Sequence, residues 1–390
     1  MTAPSGRHFL QIPGPSNVPD RILHAIGHST IDHRGPEFQR LSEEVLIGSR
    51  RIFKTSGPVV VFPTSGTGAW EAALMNTLSP GDKVLMFETG HFATLWCNMA
   101  RKFGLEVEFV PTDWRHGVDP QVVEDKLKAD TDHQIKAVNI VHNETSTGVL
   151  SRVEEVRQAI DNANHPALFM VDTISSLGSA DYRHEEWKVD VTVGCSQKGL
   201  MLPPGLGFNA ISEKAMEASE SNSFTRHFWD WNDMLKANAN FFYPSTPCTN
   251  LLFGLRESIR MLEEQGLENV FARHARFGEA ARRAVRTWGL EILCQEPLEY
   301  SPVLTAVLMP EGKSADALRK IILEKFDMSL GNGLGKVADK VFRIGHLGDL
   351  NDLSLIGTLA GVEMGLELGG IQHTKGGVAA AMDYLSETAV

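Results

Sequence analysis

The chain has 390 residues, 42% of them apolar, and a formal net charge of −12. That length and apolar content are enough to bury a large core, which excludes a disordered chain and predicts one large domain with a smaller one attached. The negative balance disfavours nucleic acid or an anionic membrane as a partner, because both need a basic surface, while a small anion in a local cationic pocket remains compatible with it.

In chain order, apolar runs bounded by turn residues predict buried strands over 58–62, 84–88, 106–110, 135–142, 167–172, 189–194 and 206–211. Helical patterns over 66–78, 91–103, 120–129 and 151–164 lie between most of them. Such alternation predicts a mostly parallel sheet of about seven strands with helices on both faces. After Leu251 the pattern turns to long helices. Val270, His274, Phe277, Ala281, Val285 and Trp288 share one helical face, so His274 reads as a core histidine. Strands over 303–307 and 341–344, with helices over 315–325 and 353–368, predict a smaller α+β domain from residue 289 onward. Pro166-Ala167-Leu168-Phe169-Met170-Val171 is far too short to span a membrane. The N-terminus lacks a basic-then-apolar signal, and the C-terminal Glu387-Thr388-Ala389-Val390 lacks a peroxisomal ending. Cys97, Cys195, Cys248 and Cys294 form no CxxC pair and no metal spacing, the usage of a reducing compartment. A cytoplasmic protein is expected.

Four features carry chemistry. Lys198 follows the 189–194 strand in Gly194-Cys195-Ser196-Gln197-Lys198-Gly199, with Pro203-Pro204-Gly205 behind it. This is the usual placement of a Schiff-base amine, although surface lysines are also common at strand ends. Ser65-Gly66-Thr67-Gly68 follows a strand and opens a helix, so its amides and hydroxyls form either a phosphate cradle or a ligand-free turn. Asp172 ends the preceding strand at the carboxyl edge of the sheet, where open α/β sheets bind ligands. A carboxylate there keeps a heterocyclic nitrogen protonated, or else serves as an N-cap or salt-bridge partner. Arg343 sits in the apolar strand Val341-Phe342-Arg343-Ile344, an expensive place unless it meets a carboxylate of a substrate or of the protein.

Other motifs point elsewhere. Gly66-Thr67-Gly68, with Glu88 at the end of the next strand, suggests a nicotinamide dehydrogenase, but Glu71 replaces the third glycine. Gly331-Asn332-Gly333-Leu334-Gly335-Lys336 imitates a P-loop, but Val337 replaces the required Ser or Thr, so it reads as a turn. His24 and His28 have helical spacing for a metal without acidic or sulfur partners nearby.

Ser196-Gln197-Lys198-Gly199, Val171-Asp172-Thr173-Ile174-Ser175-Ser176, His142-Asn143-Glu144-Thr145-Ser146-Thr147-Gly148-Val149, Pro13-Gly14-Pro15 and Phe342-Arg343-Ile344-Gly345-His346-Leu347-Gly348 together resemble the class V pyridoxal-phosphate aminotransferases. The match runs over nearly the whole chain and is strongest to the serine–glyoxylate and alanine–glyoxylate branch. The resemblance implies a fold-type I α/β protein in three parts. These are an N-terminal arm (1–20) at a dimer interface, a large cofactor-binding domain (21–288) and a small domain (289–390). It also implies a homodimer whose active sites are built from both chains.

By position, the resemblance assigns Lys198 as the Schiff-base residue and Asp172 as the partner of the pyridinium nitrogen. Phe92 stacks on the ring; Ser65, Gly66 and Thr67 form the phosphate loop; Gln197, Thr145 and Ile174 add contacts to the cofactor. Tyr243 and Thr246 reach the phosphate from the partner subunit. Arg343 and Gly14 meet the substrate, and His33 and Arg34 reach it from the other chain. The implied reaction moves the amino group of serine, or secondly alanine, to glyoxylate, with aspartate as an alternative donor. A cysteine desulfurase of the same class would need a cysteine in the 331–335 loop, which has none. A non-catalytic pyridoxal-phosphate module would not need Lys198, Asp172 and Arg343 intact together.

Overall fold

The computed structural model describes residues 6–389. Its main sheet has seven strands in the spatial order Val59–Phe62, Gly207–Ile211, Val191–Cys195, Leu168–Asp172, Ile135–Val141, Lys83–Glu88 and Glu106–Pro111. All are parallel except Gly207–Ile211, which runs antiparallel to both neighbours. The reversal follows from its connection. A parallel return needs a long crossover, usually a helix, whereas the segment from Ser196 to Leu206 is a helix-free loop stitched to itself. Ser196 Oγ donates to Pro203 O at 2.8 Å and accepts from Leu206 N at 3.1 Å.

The central strands are buried on both faces, which explains their continuous apolar reading. Helices Gly66–Thr77 and His91–Lys102 pack on one side of the sheet, around Trp70, Trp96 and Met170. Pro120–Ala129 and Val153–Asn162 pack on the other, around Phe169 and Val138.

A second sheet of five strands runs Phe9–Gln11, Met328–Asn332, Val341–Gly345, Leu304–Leu308 and Glu291–Ile292. Met328–Asn332 is a strand that the sequence reading did not predict, and its last two residues, Gly331 and Asn332, belong to the segment read as a turn. Its glycine and asparagine suit a turn, but the strand is held by pairing with Phe9–Gln11, at the other end of the sequence, and with Val341–Gly345. Helix Leu267–Trp288 joins the two bodies: Val270 lies in a cluster with the large-sheet helices, while Phe277, Ala281 and Trp288 pack with the second sheet. His274 on this helix is fully buried. Its Nδ1 bonds Val270 O and its Nε2 accepts from Gly348 N, and burial pushes its pKa down to about 3.

Because the parallel strands share one direction, the segments after Phe62, Glu88, Val141, Asp172 and Cys195 all emerge at the same edge. The chemistry-bearing residues sit on those segments.

Candidate active site

That carboxyl edge encloses a cavity of about 250 Å³. Gly14, Ser65, Gly66, Thr67, Phe92, Thr145, Asp172, Ile174, Gln197 and Lys198 all line it. Arg343 stands just behind this wall, with Nη1 donating to Thr145 O at 2.7 Å and Nε to Asn332 O at 2.8 Å. The remaining expected residues do not reach the cavity within one chain. Arg34 and Thr246 are exposed, His33 is half-buried, and the Tyr243 ring packs edge-on against Phe38 at 5.9 Å.

Lys198 is 8% exposed and donates to Pro13 O at 2.6 Å. Its backbone is tied to the N-terminal segment, because Ser16 Oγ donates to Lys198 O and Ser16 N donates to Gln197 O. Gly14 allows this approach. Its φ is +100°, and a Cβ there would lie 2.3 to 2.6 Å from the outer atoms of the Lys198 side chain. Burial lowers the Lys198 pKa to about 8.

Asp172 is also buried, and the same cause raises its pKa to about 7. Backbone N–H of Ile174 donates to Oδ1 at 2.6 Å, and Trp70 Nε1 donates to Oδ2 at 3.1 Å. Arg343 is 6% exposed and bonded to carbonyls; burial lowers its pKa to about 10. A buried guanidinium bonded to carbonyl oxygens keeps its positive charge unneutralised, which suits it to an anion.

The helix Gly66–Thr77 begins at the cavity, and its N-cap Ser65 makes no side-chain capping bond. The first-turn amides are therefore available to an anion, and the helix dipole favours one. Gly66 has no room for a side chain, since a Cβ would sit 2.3 Å from Ile174 Cδ1. Gln197 Oε1 and Asn143 Oδ1, both on cavity-lining residues, are buried without a hydrogen-bond partner. Thr145 Oγ1 donates to Ser175 Oγ, which donates in turn to Asn143 O. Uncapped amides, orphaned acceptors, an amine and a carboxylate in one closed space fit a phosphorylated heterocyclic aldehyde.

Sequence reasoning passed over Trp70, Glu144, Asn143, Ser175 and Pro204. Trp70 stands one turn after Gly66 on the same helix face, a signal that would have placed it beside Asp172. The others act through contacts between distant segments. The dehydrogenase reading loses its ribose ligand, because Glu88 pairs with Lys336 at 2.5 Å.

An amine and a carboxylate on adjacent strand ends, beside an open helix N-terminus, define the site of a pyridoxal-phosphate-dependent transferase. The family model of class V aminotransferases matches residues 14–332. The chain is 48% identical to a serine–glyoxylate aminotransferase of Methylorubrum extorquens, covering 98% of this chain and 97% of that one. It is 46% identical to an L-aspartate–glyoxylate aminotransferase of Paracoccus denitrificans, covering 97% and 96%. The structure of a pyridoxamine–pyruvate aminotransferase from Mesorhizobium loti superposes with a TM-score of 0.92 at 26% identity, covering 99% of this chain and 98% of that one. The chain belongs to the class V aminotransferases, and it is a pyridoxal-phosphate-dependent transaminase.

Proposed function

We propose that the enzyme transfers the amino group of a small L-amino acid to glyoxylate, with serine the preferred donor and alanine the second, yielding glycine and hydroxypyruvate or pyruvate. The observation that carries this reading is 48% identity to the serine–glyoxylate relative over nearly the whole length of both chains. The similarity to an aspartate–glyoxylate relative keeps aspartate as a second reading.

When bound, pyridoxal phosphate supplies a carrier for the amino group and a ring that accepts the electron pair left at Cα. In this reading Ser65, Gly66 and Thr67 hold its phosphate at the helix N-terminus, with Gln197 beside them. Phe92, Ile174 and Thr145, which line the same cavity, would hold its ring. Asp172 would hold the ring nitrogen protonated, and a cation there would favour the ionised form of a carboxyl otherwise pushed up by burial. Arg343 takes the substrate α-carboxylate, an anchor common to amino donor and keto acceptor, while Gly14 shapes the adjoining wall. Lys198 Nζ would take the substrate Cα proton as a general base and give a proton back as a general acid. A pKa near 8 suits both roles.

We further propose a homodimer in the cytoplasm, in which a second copy supplies Tyr243 and Thr246 to the phosphate and His33 and Arg34 to the substrate side chain. The unpartnered, buried Nε2 of His33 and the exposure of Arg34 and Thr246 support such a completion. The four free thiols are consistent with a reducing compartment.

The test is a set of single-turnover half-reactions with serine, alanine and aspartate, followed by cofactor absorbance. Serine is expected to react fastest and alanine next. Equal rates sink the serine preference, and a fastest reaction with aspartate establishes the second reading.

A further inference from the structure

Two motifs that the catalytic reading leaves unused meet each other. Glu88 closes the strand Lys83–Glu88, Lys336 closes the glycine-rich segment 331–336, and their side chains pair at 2.5 Å. Lys336 Nζ also lies 5.3 Å from the ring centroid of Trp114, so one ammonium is held between a carboxylate and an indole face. The pair joins the large sheet to the five-stranded sheet.

Both partners stand close along the chain to residues of the site. From Glu88 the chain runs through Thr89 and Gly90 into helix His91–Lys102, whose second residue, Phe92, lines the cavity. From Lys336 it runs back to Asn332, whose carbonyl accepts from Arg343 Nε at 2.8 Å, and Gly331 pairs with Arg343 across the sheet. The turn between is tightly packed. A Cβ at Gly333 would lie 2.1 Å from Val337 O, and one at Gly335 would lie 2.8 Å from Trp114 Cη2. The receiving surface is equally constrained. Trp114 is 4% exposed, holds a φ of +63°, and packs with Leu293, Leu304, Val337 and Val341. A bulky residue persists in that conformation only where its surroundings fix it. Trp114 N donates to Thr112 Oγ1 at 3.3 Å, and Thr112 Oγ1 donates to Glu88 O at 2.8 Å, which ties the indole's loop to the same strand end.

We propose that Lys336 is a positioning residue for the substrate carboxylate. Seated between Glu88 and Trp114, it fastens the sheet that bears Arg343 to the strand end that leads to Phe92, and so sets where the guanidinium stands relative to the cavity. Lys336 itself does not line that cavity.

This inference rests on Arg343 as the carboxylate grip, and the two fail differently. If the grip reading fails, Arg343→Lys binds a carboxylate as well as the unaltered protein does. If only the fastening fails, Arg343→Lys binds it more weakly while changes at Lys336 and Glu88 have no effect.

The measurement is calorimetric binding of glycolate, a carboxylate with no amino group to transfer, to the holoenzyme. Lys336→Met and Glu88→Gln are each expected to raise its dissociation constant about threefold, the scale of one partly exposed ion pair. Lost charge acting at a distance cannot imitate this result. It would weaken anion binding in Lys336→Met and strengthen it in Glu88→Gln, because the two changes remove opposite charges. The double variant is expected to stay at about threefold, since its second change breaks a contact already lost, and Lys336→Arg is expected to keep the unaltered constant. In single-turnover reactions the half-saturating serine concentration should rise by the same factor at an unchanged limiting rate. Aminoethanol, which is serine without its carboxylate, should bind all variants alike. Opposite shifts in the two single variants, no shift in either, or a double variant at about ninefold overturns the proposal. So does an equal loss with aminoethanol, or a Lys336→Arg constant as high as that of Lys336→Met.

Discussion

Replacing Gly14 with alanine tests how the N-terminal segment sets the position of Lys198. The backbone at Gly14 has φ of +100°, and a non-glycine residue in such a conformation costs about 1–2 kcal/mol. The larger effect is steric. A Cβ at Gly14 would meet Lys198 Cδ at 2.3 Å, Nζ at 2.4 Å and Cε at 2.6 Å, about 1 Å inside ordinary contact, so the lysine must swing away. It then gives up its 2.6 Å bond to Pro13 O, a charge-assisted bond of about 1.5–3 kcal/mol. Together the losses reach about 3–5 kcal/mol, and an amine displaced by about 1 Å is expected to slow amino transfer about 100-fold. The control is Gly81→Ala, because Gly81 has a similar φ of +91° with nothing within 4 Å of the added Cβ. Thermal melts and single-turnover kinetics on both variants separate the two terms. Gly81→Ala should lose only the backbone portion of stability and keep its rate. If Gly14→Ala retains the unaltered rate, or if both variants behave alike, the account of how Lys198 is held is wrong.

Three further outcomes follow from the same geometry. Asp172 titrates near 7 when folded against 3.8 as a free side chain, so between those values the native state holds a proton that the unfolded chain has lost. Stability of the cofactor-free protein therefore falls as pH rises from about 4 to about 7, by up to about 4 kcal/mol from this group. Asp172→Asn removes that contribution, and its urea stability relative to the unaltered protein should grow from pH 5 to pH 8; parallel curves contradict it. Trp70→Phe deletes the indole donor to Asp172 Oδ2 and should cost about 1–3 kcal/mol, more at pH 8 than at pH 5, because the ionised carboxylate loses the donor. Equal losses at the two pH values would mean that the indole does not serve the charge. Finally, if two chains complete each site, mixing inactive Lys198→Ala with inactive Arg34→Ala under conditions of subunit exchange should restore activity through mixed dimers. A mixture that stays inactive after demonstrated exchange removes Arg34 from the shared site.

Much of the site was legible because alternation of strands and helices puts successive strand ends on one edge. Asp172 and Lys198 close two adjacent parallel strands, and the apolar runs that precede them mark both ends clearly. The loop at Ser65–Gly68 was legible for the same reason, since a helix follows a strand there directly. Contacts between distant segments were not. The antiparallel sense of Gly207–Ile211 depends on a loop without a crossover, which apolar periodicity does not encode. Met328–Asn332 was missed, and its end at Gly331-Asn332 reads as a turn, because its strand character comes from Phe9–Gln11 and Val341–Gly345 rather than from its own residues. Glu144 sits in a motif that marks the family, yet its bonds to the start of another helix arise only in the folded chain. Gly14 carries no local signal for the closeness of Lys198 beyond its conformational freedom.

The central claim is that Lys198 is the amine to which the cofactor attaches. Incubation of the purified protein with pyridoxal phosphate, borohydride reduction and peptide mass spectrometry tests it directly. The account predicts one modified lysine, Lys198, with the visible band lost in Lys198→Ala. Stable modification of a different lysine, or an unchanged band in Lys198→Ala, contradicts it.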